Sequence, residues 1–256
     1  MAFEYVDVEE AIQRDGLRMV VVGNVPSPWG EAAKGVFHIK GLDWVAVRTD
    51  HKNAALHSWA GSQNGPVAIY GDEAPRSGWA EILLLAERLS GTPALLPSDP
   101  AERALVFGLS HELVGEAGLA WSRRLQGIHE GLAGTGGFPK RVAQYLGMKY
   151  GYRPELGSNA GHRVADVLRM LVHRLKAQRE SGSAYYVGKT LTAVDIYSAT
   201  VAATVSPLPE RDCKMDPATR AVFEENCELT SAALDPIFFA HRDMMYREHL
   251  QLPLSL

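Results

Sequence analysis

The sequence predicts an α/β domain over residues 16–90, followed by an all-α domain over residues 98–256, with residues 1–15 as an N-terminal extension. Three observations carry this. β-Branched apolar runs are confined to the first third of the chain. A stretch rich in Gly and Pro, Gly91 to Pro100 (GTPALLPSDP), then acts as a linker. Beyond it, long patterns of helical period replace the short runs.

The elements follow in order. Glu4 to Asp15 is acidic, with Val8, Ala11 and Ile12 at helical spacing, and predicts a short amphipathic helix packed on the surface. Leu17 to Gly23 (LRMVVVG) lacks polar alternation, the mark of a strand buried on both faces. Asn24 to Pro28 breaks it, and Glu31 to Ile39 forms a helix with Ala32, Val36 and Ile39 on one face. After Gly41, Trp44 to Val47 is a second strand, and the unit is short enough for a parallel pair with a right-handed crossover. Pro66 to Tyr70 is a third strand; the Gly71-Asp72 turn predicts a short return strand before Arg76. Trp79 to Leu89, rich in Leu, Ala and Glu, is a helix.

The second domain opens with Ser98 or Asp99 as a cap and Pro100 at the first helical position. That helix is expected to run through Leu105, Leu109 and Leu113 and beyond, weakened at Gly108, Gly115 and Gly118. Further helices are expected at 138–147, 161–180, 193–204, 217–233 and 235–249.

Composition excludes several functions. With 256 residues, 46% hydrophobic and 22% charged, the chain is globular, and about 100–200 residues per domain allow one large or two small units. Lys and Arg total 26 against 30 Asp and Glu, giving a formal charge of −4. Without a basic excess or a basic run, nucleic acid is not an expected partner. Apolar runs such as Ile82 to Ala86 fall far short of the ~20 residues that span a membrane. Two cysteines, Cys213 and Cys227, and an acidic N-terminal stretch without signal-peptide layout fit a reduced, cytoplasmic protein. The nine histidines form no metal-binding pair, so no metal is expected. The Gly131 to Gly137 run lacks a preceding strand and reads as an interhelical loop, and His241-Arg242-Asp243 as surface-helix charge. Trp29 and Trp121, the latter placed on the first helix of the second domain, are candidates for a pocket lining.

Four segments, in this order and at these spacings, resemble the cytosolic glutathione transferases. Val20-Val21-Val22-Gly23, Ser27-Pro28-Trp29 and then Gly41-Leu42-Asp43-Trp44 are similar to the opening of that family, in the Ser-Pro-aromatic form of its tau and omega types. Gly65-Pro66-Val67 stands where the family carries a cis-proline. Leu95-Leu96-Pro97, with Asp99-Pro100 and Arg103-Ala104, is similar to its interdomain linker, and Gly188, Thr192, Asp195 and Ile196 to its helical capping motif. The resemblance implies a thioredoxin-like first domain, glutathione as co-substrate, a small hydrophobic electrophile held between the domains, and a homodimer.

The same resemblance assigns the site. Ser27, read from the residues alone, is a helix N-cap before Pro28. As a catalytic residue it would donate a hydrogen bond to the glutathione sulfur at a helix N-terminus, where a thiol pKa falls from about 8.5 toward ~4–7. Gly30 occupies the position of the Cys nucleophile in Cys-type relatives, which disfavours thiol-transfer chemistry. Gly65 and Pro66 are expected to meet the cysteinyl part of glutathione, and Trp29 to lie beside it. The family's Glu-Ser pair falls on Ser77-Gly78 without a gap, or on Arg76-Ser77 with one deletion. Arg76 and Ser77 are therefore the candidates for the glutamyl end, with Asp72, Glu73 or an acid of a second subunit for its ammonium group. Thr192 and Asp195 read as a capping box. Conjugation of glutathione to electrophiles is the leading activity. A specialised isomerase, lyase or dehalogenase, or a non-catalytic binding module, stays open. The apolar tail from Tyr246 to Leu256 is expected to pack across the second domain and, as a hypothesis, to cover the electrophile pocket.

Overall fold

A computed structural model describes residues 3–256. Its sheet has the order β1-β3-β2-β4, built from β1 (Glu4–Tyr5), β2 (Leu17–Val21), β3 (Trp44–Arg48) and β4 (Val67–Tyr70). β2 lies parallel to β3, with Leu17 opposite Trp44, and antiparallel to β4, with Leu17 opposite Tyr70. All five residues of β2 are buried, as its unbroken apolar run predicts. Its one charge, Arg18, donates to the carbonyls of Gly16 and Gly71 at 3.1 and 3.0 Å. The return strand after β4 shrinks to a single bridge between Ala68 and Arg76.

The N-terminal segment does more than pack on the surface. Glu4 and Tyr5 extend the sheet edge, parallel to Val45 and Ala46. α1 (Val8–Gln13) follows, capped by the Asp7 carboxylate, which accepts from the Glu10 N–H. Val8 and Ala11 are buried, while Ile12 faces outward.

Two helices of the first domain, α2 (Pro28–Ile39) and α4 (Trp79–Leu89), carry apolar faces into the main core. α3 (Ala54–Ala60) covers the opposite face of the sheet, where Leu56 and Ala60 join Val20, Val47, Val67 and Ile69. The Asn53 side chain caps this helix, accepting from the Leu56 N–H at 2.9 Å.

The second domain is entirely helical: α5 (Pro100–Val114), α6 (Leu119–Ala133), α7 (Lys140–Lys149), α8 (Pro154–Glu180), α9 (Ala193–Val201), α10 (Pro217–Glu224), α11 (Glu228–Ala233) and α12 (Pro236–Glu248). Asp99 caps α5. The long first helix is in fact two. It stops at Gly115, and Ala117 at φ 59° turns the chain before Gly118 opens α6. Trp121 therefore stands on the second helix of this domain. The 217–233 pattern likewise divides into α10 and α11, and α8 begins at Pro154, seven residues before the expected 161.

α9 is buried throughout and packs on both α2 and α5, joining the two domains through one core. Its N-terminus is held by Asp195, fully buried. That carboxylate accepts from the Thr192 N–H at 2.8 Å, the Thr192 hydroxyl at 2.9 Å and the Tyr186 N–H at 2.9 Å. His241 Nε2 lies 3.0 Å from the same carboxylate. His241 is thus an interior residue, not surface charge: α12 turns it inward onto Asp195, while Arg242 donates to the Ser206 carbonyl.

The tail meets the second domain as expected, Leu254 N–H donating to the Asp212 carbonyl at 2.7 Å, but it does not cover the pocket. None of its residues lines the cleft described below. Leu250 instead occupies the space that Gly35 leaves open, where a Cβ would lie 2.7 Å from Leu250 Cδ2. Lys34 Nζ and the Tyr5 hydroxyl donate to the Ser255 carbonyl at 2.7 and 3.0 Å. Lys34 is itself buried against Glu31 at 2.8 Å. Burial holds the Glu31 carboxyl above its ordinary value, with the Lys34 charge opposing that shift.

Candidate functional site

A cleft of about 580 Å³ opens between the two domains. Ser27, Trp29, Gly65, Pro66 and Ser77 line its first-domain wall, and Trp121 stands on the opposite wall. Each reaches it for a local reason.

Ser27 is the N-cap residue of α2 by backbone geometry, with Pro28 at the first helical position. Its hydroxyl does not cap the helix and has no hydrogen-bond partner among the described residues. A group at this point faces the positive end of a twelve-residue helix. Gly30 adds no bulk; a Cβ there would come within 3.6 Å of Ser27 Cβ.

The Gly65–Pro66 peptide is cis, as the resemblance implied. Gly65 lies so close to β2 that a Cβ would sit 3.1 Å from the Val20 carbonyl oxygen and 3.2 Å from Val22 N. Trp29 spends its indole N–H on the Val114 carbonyl at 2.6 Å, so only its ring remains to meet a ligand. Ser77 is exposed just ahead of α4, whose cap residue Gly78 gives its N–H to Glu81 at 3.0 Å.

Arg76 does not join them. It is not among the cleft residues, and its guanidinium pairs with Glu73 at 2.6 Å. Glu73 also binds Arg88 at 2.6 Å, and the hydrogen bonds from Arg88 and then Arg76 hold its carboxyl below the usual range. Glu73 is committed to these arginines.

Of the second-domain wall, the sequence points only to Trp121. Trp121 and Arg124 from α6 stand with Phe138 before α7 and with Tyr150 just after it. Trp121 and Tyr150 meet edge to face at 4.8 Å, and Trp29 lies 6.2 Å from Tyr150. The Arg124 guanidinium lies 4.6 Å from the Phe223 ring centroid and 5.7 Å from that of Phe138. Phe138 can fold back on α6 because Gly127 and Gly131 have no side chain. At Gly131 a Cβ would stand 2.1 Å from the Phe138 carbonyl oxygen. The Gly131–Gly137 run is thus a helix end plus a loop, with Gly131 still inside α6. His51, following β3, meets Tyr145 of α7 across the cleft mouth, ring centroids 5.9 Å apart. The readable signal was an arginine within the apolar stripe Trp121, Arg124, Leu125 and Ile128, at helical spacing.

No protein-family model and no curated protein matches the chain. Solved structures do. A glutathione S-transferase domain-containing protein from Marinobacter aquaeolei is similar at 16% identity and TM-score 0.62, covering 91% of this chain and 100% of that one. A glutathione transferase family member from Pseudomonas fluorescens, with two glutathione molecules bound, matches at 16% identity and TM-score 0.61, over 91% of this chain and 89% of that one. The beta-etherase LigF from Sphingobium matches at 14% identity and TM-score 0.57, over 89% of this chain and 99% of its own. The chain shares the fold of these structures: a thioredoxin-like domain followed by a helical one. Among the described residues, no helix is long and apolar enough to cross a membrane.

Proposed function

We propose that the chain is a glutathione-dependent transferase. Glutathione docks on the first-domain wall, with its sulfur at Ser27, its cysteinyl backbone at Gly65 beside Pro66, and its glutamyl carboxylate at Ser77 and the N-terminus of α4. The observation that carries this reading is the Ser27 hydroxyl, free of any cap bond at the start of α2. It faces the same cleft as the Gly65–Pro66 peptide. A thiolate there receives a hydrogen bond and the favourable end of the helix dipole. It attacks an electrophilic carbon held against the aromatic second-domain wall. The C–S bond forms, the leaving group departs with its bonding electrons, and the thiol proton passes to solvent. Proximity within the cleft and a larger thiolate fraction supply the acceleration. Arg76, tied to Glu73, has at most an indirect part. We place the protein in the cytoplasm as a homodimer, with detoxification as its broad role.

A specialised glutathione-dependent lyase or isomerase is the second reading, favoured by the likeness to a beta-etherase. Calorimetric titration with reduced glutathione near pH 7 tests the common ground of both. Saturable binding in the micromolar-to-millimolar range is expected. Absence of binding at millimolar glutathione would leave a fold without its ligand and would sink both readings.

A further inference from the structure

Arg124 takes no part in docking glutathione, and its surroundings are unusual for a buried charge. Its residue is only 8% exposed, yet no carboxylate lies within ion-pair distance among the described residues. Asp216 is the only acid among the described residues that line the cleft, and it caps α10, accepting from the Thr219 N–H and hydroxyl at 2.9 and 3.0 Å. Its neighbour Arg123 shows the ordinary solution. Arg123 turns away and donates to the carbonyls of Thr204 and Glu225 and to Gln126. Arg124 instead reaches the cleft wall, flanked by the rings of Phe138 and Phe223, with the Tyr150 hydroxyl as its polar neighbour. Lys149 stands near enough to feel the same charge: burial first, and Arg124 second, hold its ammonium below the ordinary lysine range. A guanidinium stays protonated in proteins, and this one has a phenol neighbour but no counter-charge, so an anion entering the cleft would complete it.

We propose that the electrophile is an aromatic acid, its carboxylate bound by Arg124 with the Tyr150 hydroxyl and its ring held by Trp29, Trp121 and Tyr150. Arginine suits this task because its planar fork matches a carboxylate with two donors. The aromatic wall accepts a flat ring. Lys149 adds long-range attraction at the cleft mouth. This deepens the proposed transferase activity and rests on it, but the anion site can be tested without glutathione.

The probes are 4-chloro-3,5-dinitrobenzoate and its methyl ester, titrated into the full-length protein and followed by tryptophan fluorescence. The wild type is expected to bind the acid about 10- to 100-fold more tightly than the ester, the range of a charge-assisted hydrogen bond. Arg124→Gln should remove the preference and Arg124→Lys should restore part of it, both with a wild-type circular dichroism spectrum. Equal affinity for acid and ester in the wild type would overturn the proposal. So would a preference that survives in folded Arg124→Gln. If saturating glutathione displaces the acid competitively, Arg124 serves a carboxylate of glutathione and the proposal falls. If the acid binds but no glutathione does, the anion site stands and the transferase reading fails.

Discussion

Asp195 and Arg124 are both buried charges in the helical domain, and they are treated in opposite ways. Asp195 is enclosed by its own fold: two backbone N–H groups, a hydroxyl and an imidazole nitrogen surround its two oxygens. Arg124 is enclosed by aromatic rings and one phenol, with no counter-charge and an open side toward the cleft. The first arrangement fixes α9 against α12 and completes itself. The second leaves its donors for a molecule that is not part of the chain. Burial alone therefore says little about the role of a charge; what decides is whether the fold supplies the partner.

That contrast can be broken by substitution. Asp195→Ala strips the acceptor from four buried donors and is expected to cost about 3–5 kcal/mol in urea unfolding, enough to threaten folding at all. Arg124→Gln removes a charge that has no ion pair to lose, so its stability is expected to stay within about 1 kcal/mol of wild type. A loss as large as that of Asp195→Ala would give Arg124 a structural role and dissolve the comparison.

A surface pair sets the lower end of the scale. Asp235 caps α12 and binds Lys176 at 2.6 Å, and this hydrogen bond holds its carboxyl below the ordinary 3.8. The folded chain thus takes up this proton less readily than the unfolded one. The contribution is complete above about pH 4 and fades as pH falls through the lowered value. Asp235→Asn keeps the cap and loses the pair. A cost below about 1 kcal/mol at neutral pH is expected, with the two proteins converging in acid unfolding curves.

Much of the fold was legible because local signals agreed with tertiary needs. The apolar run of β2, Pro28 and Pro100 at helix starts and the Thr192–Asp195 spacing each have one plain physical meaning. The first-domain wall of the cleft was legible only through the family resemblance, which assigned Ser27, Gly65 and Ser77; from the residues alone Ser27 is a helix cap. Of the second-domain wall only Trp121 was. Arg124 looks like surface charge until α6 is shown to be a separate helix, and Tyr150 and Phe138 are brought to it by loops of no regular period. His241 misled in the same way. Nothing within the sequence of α12 reveals that Asp195, 46 residues away, lies beside it.

Titrating the thiol of bound glutathione reads the effect of Ser27 on the sulfur itself. Thiolate absorbance is followed against pH in the binary complexes of wild type and Ser27→Ala. In the wild type the bound thiol is expected to titrate about a unit or more below the free value of about 8.5. In Ser27→Ala, with glutathione still bound, it should move back up toward that value. Superimposable titrations of the two proteins would contradict this and take the catalytic role away from Ser27.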